Sequence, residues 1–256
     1  MQRDNAWLTK TVVAHRGLHD NKIYPENSLG AFEQAIKHGY GIEFDVWLTN
    51  DGELIVHHDP SLKRTCKRNQ RTRDIDSSKL DEYKLFGTNY SIPKFVDVLN
   101  LVNGQVNLVI EIKPTNKVDM TCSMIWNILK DYKGVYCIES FDTRVVKWWA
   151  TNHPEIILGQ LCDRYLFHKI LIRATKHYKF VDFLAVSIDN LPSRYYQKLL
   201  KKRKELIIFT WTVRTKKHFN LAIENADNFI FETNLKNPEY IPLPDKNNTY
   251  CHPKYR

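Results

Sequence analysis

Cysteine pairs and long apolar runs are both absent from this sequence of 256 residues. The five cysteines form no CxxC pair and are odd in number, which indicates reduced thiols and disfavours a metal site built from cysteine. No uninterrupted apolar run approaches the ~20 residues that span a bilayer, and the N-terminal residues lack the apolar stretch of a signal peptide. We therefore expect a soluble, cytoplasmic protein without a stable membrane anchor.

The chain is basic, with 38 lysines and arginines against 29 aspartates and glutamates and a formal net charge of +9. This excess predicts an anionic partner, and phosphate esters, nucleic acid and acidic membrane surfaces all satisfy it. Charged residues make up 26% and hydrophobic residues 43% of the sequence, a balance typical of globular proteins that excludes disorder. Because no internal repeat or Gly/Ser linker divides the chain, we expect a single domain over residues 1–256.

Short apolar segments rich in β-branched residues alternate with segments of helical periodicity. The first kind predicts nine strands, and the second predicts helices between most of them. Repeated strand–helix units indicate a parallel sheet, and this many units in about 250 residues favours an α/β fold of the (β/α)8 TIM-barrel type. The predicted strands cover residues 11–15, 42–46, 53–58, 107–113, 134–140, 155–161, 182–187, 206–213 and 228–232. The predicted helices cover residues 27–39, 94–103, 119–132, 143–153, 193–204 and 216–226.

The second and third predicted strands are joined by the letters TNDG, a turn signal that makes them an antiparallel hairpin. One of the nine segments is then not a regular barrel strand. A two-residue DG loop sets His58 opposite Asp45, and an ND loop sets it opposite Glu43. A register midway between these two turns His57 inward instead.

Two segments fall outside the strand–helix pattern. Residues 59–92 are polar and rich in lysine and arginine, so we expect a small inserted surface segment after the second and third strands. Residues 235–256 are proline-rich, and we expect them to form an irregular tail.

Acidic side chains interrupt otherwise apolar strands at three positions. Glu43 and Asp45 stand two apart, so on a strand both side chains face the same way, while their apolar neighbours take the other face. Glu111 repeats this pattern on a later strand. Three carboxylates converging on one mouth of a barrel repel one another unless a cation lies among them. Oxygen ligands without sulfur suit a hard divalent ion, Mg²⁺ or Ca²⁺.

The first predicted strand ends in His15 and Arg16, where a barrel of this type carries its reactive side chains. Gly17 follows, and it permits a sharp turn and a close approach to a ligand. Each histidine has a structural alternative. His15 is then a strand-end ring that bonds to a carbonyl, and His58 is one half of a His–Asp pair on a hairpin.

These residues carry a resemblance to a known family. The motif AHRG, followed by PENS, IEFDV, TNDG and HHDP, resembles the signature of the glycerophosphodiester phosphodiesterases, and EIK, ESF and TWTV resemble that family's later motifs in the same order. The resemblance covers residues 11–232. It implies a TIM-barrel enzyme that uses a divalent cation to hydrolyse a glycerophosphodiester to glycerol 3-phosphate and an alcohol.

The resemblance also implies a role for each motif residue. It makes His15 and His58 the acid–base pair, and it selects His58 over His57 as the histidine directly before Asp59. The other implied roles are metal binding by Glu43, Asp45 and Glu111, phosphate contact by Arg16 and Lys113, and a lining of the substrate path by Phe141 and Trp211.

The sequence departs from the family pattern near its end. The letters ADNFIFETN stand where the family usually shows Asp-Gly-Ile-Ile-Thr-Asp-x-Pro, so that Phe231 and Glu232 replace the Thr-Asp and Asn234 replaces the proline. We expect this departure to leave the catalytic residues untouched.

Two other functions compete with this interpretation. One is a related barrel phospholipase that acts on lysophospholipids or phosphoinositides. The other is a basic, non-catalytic anion- or nucleic-acid-binding module that uses residues 63–73, although a charge run is more often a solvated face and no nucleic-acid motif accompanies it. We expect a small-molecule glycerophosphodiester substrate and no nucleic-acid partner. The sequence leaves several points open. These are the alcohol head group, the choice between Mg²⁺ and Ca²⁺, which histidine is the acid and which the base, whether water or a substrate 2-hydroxyl is the nucleophile, and the oligomeric state.

Overall fold

Eight parallel strands close into a barrel in the computed structural model, which describes residues 5–163, 180–193 and 206–233. Closure comes from the first strand, which pairs with both the second and the last. The predicted TIM barrel is thus confirmed. The barrel strands are β1 Val13–His15, β2 Gly41–Leu48, β4 Leu108–Ile112, β5 Tyr136–Ser140, β6 Leu158–Cys162, β7 Phe183–Ser187, β8 Ile207–Val213 and β9 Asn228–Phe231, and the additional strand is β3 Leu54–Val56.

Helices follow most of the strands and cover the outside of the barrel. Several begin at a side chain that accepts a hydrogen bond from the first turn: Ser28 accepts from the amide of Ala31, and Thr215 accepts from that of His218. None of the helices in the described ranges is long and apolar enough to cross a membrane. The predicted helix over residues 193–204 lies beyond those ranges except for its first residue. The helices are α1 Leu29–Lys37, α2 Lys63–Cys66, α3 Phe95–Val102, α4 Val118–Leu129, α5 Thr143–Asn152 and α6 Lys216–Asn225.

The strands divide their side chains between two environments. On β2, Ile42 and Phe44 pack outward in the large cluster formed with the helices, while Glu43 and Asp45 take the opposite, interior face. On β4, Ile110 packs outward in the same way. The lower barrel interior is filled by a second apolar cluster: Val13, Val109, Phe183, Phe209 and Ile230, among others. The polar side chains of the strands therefore lie inside the barrel between this apolar cluster and the carboxyl ends of the strands.

The hairpin is antiparallel as predicted, but both expected registers are wrong. Val46 faces Val56 and Leu48 faces Leu54, which is the midway register. The Thr49 side chain accepts from the amide of Glu53 and donates to Asp51, which closes a longer loop than the two-residue turns we expected. The midway register predicts His57 facing inward, yet β3 ends at Val56 and the chain bends away after His57, whose amide still donates to the Asp45 carbonyl at 3.0 Å. The outcome for the two histidines is described with the site.

The segment at residues 59–92 folds into short helical turns outside the barrel strands. It has a small apolar core of its own, in which side chains of the segment pack on Ile55 of β3: Leu62, Ile75, Leu80, Tyr83, Leu85 and Ile92. This part of the chain is therefore folded against the hairpin. The proline-rich tail lies outside the described residues. The four cysteines at described positions form no disulfide with one another: Cys66, Cys122, Cys137 and Cys162.

Candidate active site

Strand register brings the predicted acids and His15 together at the carboxyl ends of the strands. His15, the last residue of β1, is aligned with Glu43 of β2. Asp45 is aligned with Glu111 of β4, which is in turn aligned with Glu139 of β5. Because neighbouring parallel strands present aligned side chains to the same face, these groups occupy two successive inward-facing levels at the mouth of the barrel, His15 with Glu43 and then Asp45 with Glu111 and Glu139.

Glu43, Asp45 and Glu111 form a buried carboxylate cluster. Each offers one oxygen within 4.8 Å of the oxygens of the other two. The Lys113 ammonium lies 2.6 Å from Asp45 Oδ1 and 2.8 Å from Glu111 Oε1, and the Asn27 amide donates to Asp45 Oδ2 at 2.7 Å. The predicted ligand set is thus together in space.

The charge of this cluster is incompletely balanced. Burial and the neighbouring carboxylate of Asp45 hold the pKa of Glu43 well above its usual range. Burial and Glu111 do the same to the pKa of Glu139, whose Oε2 has no hydrogen-bond partner among the described residues. Burial acts to raise the pKa of Asp45 too, but Lys113 keeps it below the usual range. A set of convergent, buried carboxylate oxygens with excess negative charge fits a hard divalent cation.

His15 is held between two carboxylates. Its Nε2 lies 3.9 Å from Glu43 Oε2, and its Nδ1 lies 2.9 Å from Glu232 Oε2. Burial, aided by the charge of Arg16, lowers the pKa of His15 to about 4. Hydrogen bonds from His15 and Arg214 overcome the effect of burial and hold the pKa of Glu232 well below its usual range. An ionised Glu232 only accepts, so the neutral ring carries its proton on Nδ1 and keeps Nε2 as an acceptor.

This contact corrects one expectation. We expected the departure from the family pattern at residues 231–234 to leave the catalytic residues untouched. Glu232 instead contacts His15 directly, because β9 closes the barrel beside β1.

Arg16 occupies a strained turn beside the acids. Its φ is +55°, in the left-handed region, and its backbone amide donates to Glu43 Oε2 at 3.0 Å. Its guanidinium donates to Glu26 Oε1 at 2.7 Å and lies 3.7 Å from Asp45 Oδ2. Gly17 continues the turn at φ +79°, and a Cβ there would lie 2.8 Å from a ring carbon of Phe32. The glycine thus lets the turn pack on α1.

His58 and His57 have different surroundings. The His58 ring is one-third exposed, and its Nδ1 donates to Asp59 Oδ1 at 2.7 Å. The His57 ring is buried and bonds to Thr65 at 2.8 Å, to Thr72 at 3.2 Å and to the Asp59 carbonyl at 2.9 Å. The His57 ring therefore anchors the inserted segment, and His58 is the histidine that faces the site.

A cavity of about 330 Å³ joins most of the predicted site. Phe141 and Trp211 meet edge to face at 5.6 Å on one wall. Lys113 is not among the lining residues, since its ammonium is buried between Asp45 and Glu111. The predicted residues on the wall are His15, Arg16, Glu43, His58, Glu111, Phe141 and Trp211.

Several contacting residues had no assigned role in the sequence. Glu26 lies within the PENS motif, and Glu139 lies within ESF, so motif membership was a usable signal for both. Glu232 stands in the sequence at the acidic position of the family pattern, so a carboxylate at this place was a usable signal as well. Arg64 lies in a basic run where nothing distinguishes it from its neighbours.

The fold and the site are those of a TIM-barrel enzyme. The closed barrel carries an acidic cavity lined by histidines at the carboxyl ends of its strands, which is where active sites lie in this fold. A family model for the glycerophosphoryl diester phosphodiesterases matches residues 15–231. The chain belongs to that family.

Individual relatives agree with this placement. Over 110 residues the chain is 41% identical to a glycerophosphodiester phosphodiesterase of Caldanaerobacter subterraneus subsp. tengcongensis, a match covering 40% of this chain and 44% of the relative. A solved glycerophosphodiester phosphodiesterase from Thermotoga maritima is 25% identical with a TM-score of 0.70, covering 86% of this chain and 94% of that one.

A phosphodiesterase from Oleispira antarctica, solved in complex with the product sn-glycerol-3-phosphate, is similar in fold. It has a TM-score of 0.71 at 19% identity, covering 86% of this chain and 92% of that one. The chain spans less than half the length of the curated relatives it first matches, 44% and 47%.

Proposed function

We propose that this protein hydrolyses glycerophosphodiesters to glycerol 3-phosphate and an alcohol, using a divalent cation and two histidines. One observation carries the proposal: His15 and His58 line the same cavity as Glu43 and Glu111. An acid–base pair facing a cluster of hard oxygen ligands is the arrangement that phosphodiester hydrolysis needs.

The negative charge of a phosphodiester is the main barrier to attack on its phosphorus. A Mg²⁺ or Ca²⁺ ion held by Glu43, Asp45 and Glu111 would supply positive charge against the phosphoryl oxygens. Arg16 contributes a second positive group on the cavity wall, fixed by Glu26. The contact of Lys113 with the phosphate stays a proposal, and its ammonium at Asp45 and Glu111 also balances charge within the cluster.

The two histidines divide the proton transfers. One removes a proton from the attacking hydroxyl, and the other protonates the departing alkoxide. Both rings bond through Nδ1 to a carboxylate, His15 to Glu232 and His58 to Asp59. Each therefore directs Nε2 toward the substrate: the base accepts the hydroxyl proton there, and the acid, protonated on both ring nitrogens, donates its Nε2 proton to the alkoxide. The aromatic pair of Phe141 and Trp211 provides an apolar wall for the rest of the substrate.

Release of glycerol 3-phosphate tests the function. The chain is assayed on glycerophosphocholine, glycerophosphoethanolamine and glycerophosphoglycerol, with and without EDTA. We expect turnover of at least one diester, loss of turnover in EDTA, and recovery on addition of Mg²⁺ or Ca²⁺. No release from any diester contradicts the function, and full activity after exhaustive chelation contradicts the metal site.

A comparison of leaving groups tests the histidines. Loss of a general acid or base costs about 10²–10⁴-fold in rate. Replacing the acid with Ala should slow glycerophosphocholine turnover far more than turnover of an activated aryl phosphodiester, whose leaving group needs little protonation. Replacing the base should slow both equally. The exposed His38, at the end of α1, is the control for the His15→Ala and His58→Ala variants. Equal losses on both substrates for both variants contradict the division of roles.

A further inference from the structure

The Arg64 guanidinium bridges two carboxylates that belong to different parts of the molecule. Arg64 lies on α2 of the inserted segment. Its Nη1 and Nη2 each donate to an oxygen of Glu26 at 2.7 Å. Its Nε donates to Asp59 Oδ2 at 2.7 Å, and its Nη2 also donates to Asp59 Oδ1 at 2.9 Å. One planar group thus holds both oxygens of both acids, a geometry that lysine cannot reproduce.

Each of these carboxylates holds a residue of the proposed active site. Asp59 Oδ1 accepts from His58 Nδ1 at 2.7 Å, and Glu26 Oε1 accepts from Arg16 Nη1 at 2.7 Å. Arg64 itself is not among the residues that line the cavity. It therefore reaches a histidine on one side and an arginine on the other only through their partners.

The other arginines of the basic run bond within the inserted segment. Arg71 donates to Asp74 at 2.8 Å, and Arg68 donates to the Glu82 carbonyl at 2.9 Å while lying over the Tyr83 ring. Arg64 differs because it extends from the segment to Glu26, on the loop after β1. Among the arginines of this run, Arg64 is thus the one whose side chain bonds outside the inserted segment.

Burial makes this contact significant for Glu26. Its side chain is 5% exposed. Although burial acts to raise it, the hydrogen bonds from Arg64 and the charge of Arg16 lower the pKa of Glu26 to about 2. Without Arg64, the carboxylate keeps one cationic partner, Arg16 on Oε1, and one neutral partner, Asn21 at 3.2 Å from Oε2, so it is held by fewer bonds.

We propose that Arg64 is a positioning residue that fixes Asp59 and Glu26 together, and through them the orientation of the His58 ring and the Arg16 guanidinium. This inference rests on the proposed function, since it assigns Arg64 to the same site. A disordered His58 lowers kcat, and a displaced Arg16 raises KM, so both constants are expected to change.

The test compares Arg64→Met with Arg71→Met, which removes a cation and an ion pair from the same segment. We expect Arg64→Met to lower kcat/KM by about 10- to 100-fold, as loss of groups that orient site residues typically does, and Arg71→Met to leave it near wild type. Because the Arg64 side chain is 43% exposed, guanidinium ion at millimolar concentration should partly restore turnover of Arg64→Met. Arg64→Lys should recover little, since a lysine cannot reach both acids as a fork.

Three kinetic outcomes overturn the proposal. One is wild-type kcat and KM in Arg64→Met. Another is an equal loss in Arg71→Met. The third is a loss that guanidinium does not restore, together with a lowered unfolding midpoint, which makes Arg64 a purely structural residue.

A measurement without substrate separates this proposal from the proposed function. Nitrogen NMR of the histidine rings reports which nitrogen of His58 carries the proton. We expect a single Nδ1–H form in wild type and Arg71→Met, and a mixture of forms in Arg64→Met as Asp59 loses its fixed orientation. If the wild type hydrolyses no diester, the proposed function fails while these spectra still decide on Arg64. An unchanged His58 spectrum in Arg64→Met overturns the positioning role.

Discussion

Replacing Glu232 with glutamine removes one charge next to His15 and leaves the shape of the side chain almost unchanged. Glu232 Oε2 accepts from His15 Nδ1 and from Arg214, each at 2.9 Å, and the Glu232 side chain is 27% exposed. A hydrogen bond to a charged group contributes about 1.5–3 kcal/mol. If the bond acts by fixing the ring for proton transfer, that energy is lost from the transition state. At about 1.4 kcal/mol per tenfold, kcat should fall by about 10- to 150-fold.

The glutamine also changes the proton on the ring. A carboxylate only accepts a hydrogen bond, whereas a glutamine amide can donate one to Nδ1 and thereby favour the Nε2–H form. If His15 is the base, that form has no acceptor nitrogen facing the cavity, and the tenfold loss of kcat is a lower bound for Glu232→Gln. If His15 is the acid, an amide that donates to Nδ1 opposes the doubly protonated ring that carries the Nε2 proton, and kcat falls as well.

The assay is the steady-state release of glycerol 3-phosphate by wild type, Glu232→Gln and a matched control. Glu155 serves as that control because it pairs with His153 Nδ1 at 3.3 Å, is 57% exposed and precedes β6, at the opposite end of the strands from the site. Glu155→Gln should retain wild-type kcat. A folded Glu232→Gln variant with wild-type kcat refutes the reasoning that Glu232 orients His15.

Three other changes have defined outcomes. Glu43→Gln and Glu111→Gln should each weaken the binding of Mg²⁺ or Ca²⁺ by ~10–100-fold or more, since loss of a residue that only supports a metal ligand already has an effect of that size. Undiminished affinity of both variants in calorimetric titrations contradicts the ligand set. The depressed pKa of Glu26, about 2, means that its ionised form contributes about 3 kcal/mol to the free energy of unfolding above about pH 5, and that this contribution is lost as the pH falls toward 2. The free energies of unfolding of wild type and Glu26→Gln, measured in urea, should therefore converge between about pH 5 and about pH 2. A constant difference between them over this range contradicts the role of ionised Glu26. His57→Ala should lower the free energy of unfolding by about 2–4 kcal/mol because it leaves a cavity and removes the hydrogen bonds of the ring to Thr65 and Thr72, and an unchanged urea midpoint contradicts an anchoring role.

The barrel was predictable from local sequence because each strand has its own periodic pattern. All nine predicted strands are present. The inward orientation of Glu43 and Asp45 followed from their alternation with Ile42 and Phe44, which pack outward on the helices. These inferences needed only the two-residue period of a strand and the length of the chain.

The hairpin register was not predictable in the same way. It depends on side-chain bonds of Thr49, which close a longer loop than a standard two-residue turn. The observed register differs by one residue from both expected registers, and on a continuous strand this shift would turn His57 inward. However, β3 ends at Val56 and the chain bends after His57. His58 was thus assigned to the site by the family motif, because the local pattern alone left two histidines to choose from.

Contacts between distant residues were also beyond the sequence. His15 and Glu232 are separated by 217 positions and meet only because β1 and β9 are neighbours in the closed barrel. Arg64 and Glu26 meet across 38 positions through the folding of the inserted segment. Such pairs depend on three-dimensional closure, for which a single sequence carries no periodic signal.

Pairing of β1 with β9 has a consequence during synthesis of the chain on the ribosome. Until Asn228–Phe231 emerges, β1 and β8 each present one row of unpaired backbone groups, and such strand edges are prone to pair with other chains. A nascent chain stalled before Asn228 already contains both histidines and all three acids, yet it lacks the carboxylate that holds the His15 ring. Termination of translation shortly before Asn228 should therefore yield an insoluble, inactive product, although every residue of the carboxylate cluster has been translated.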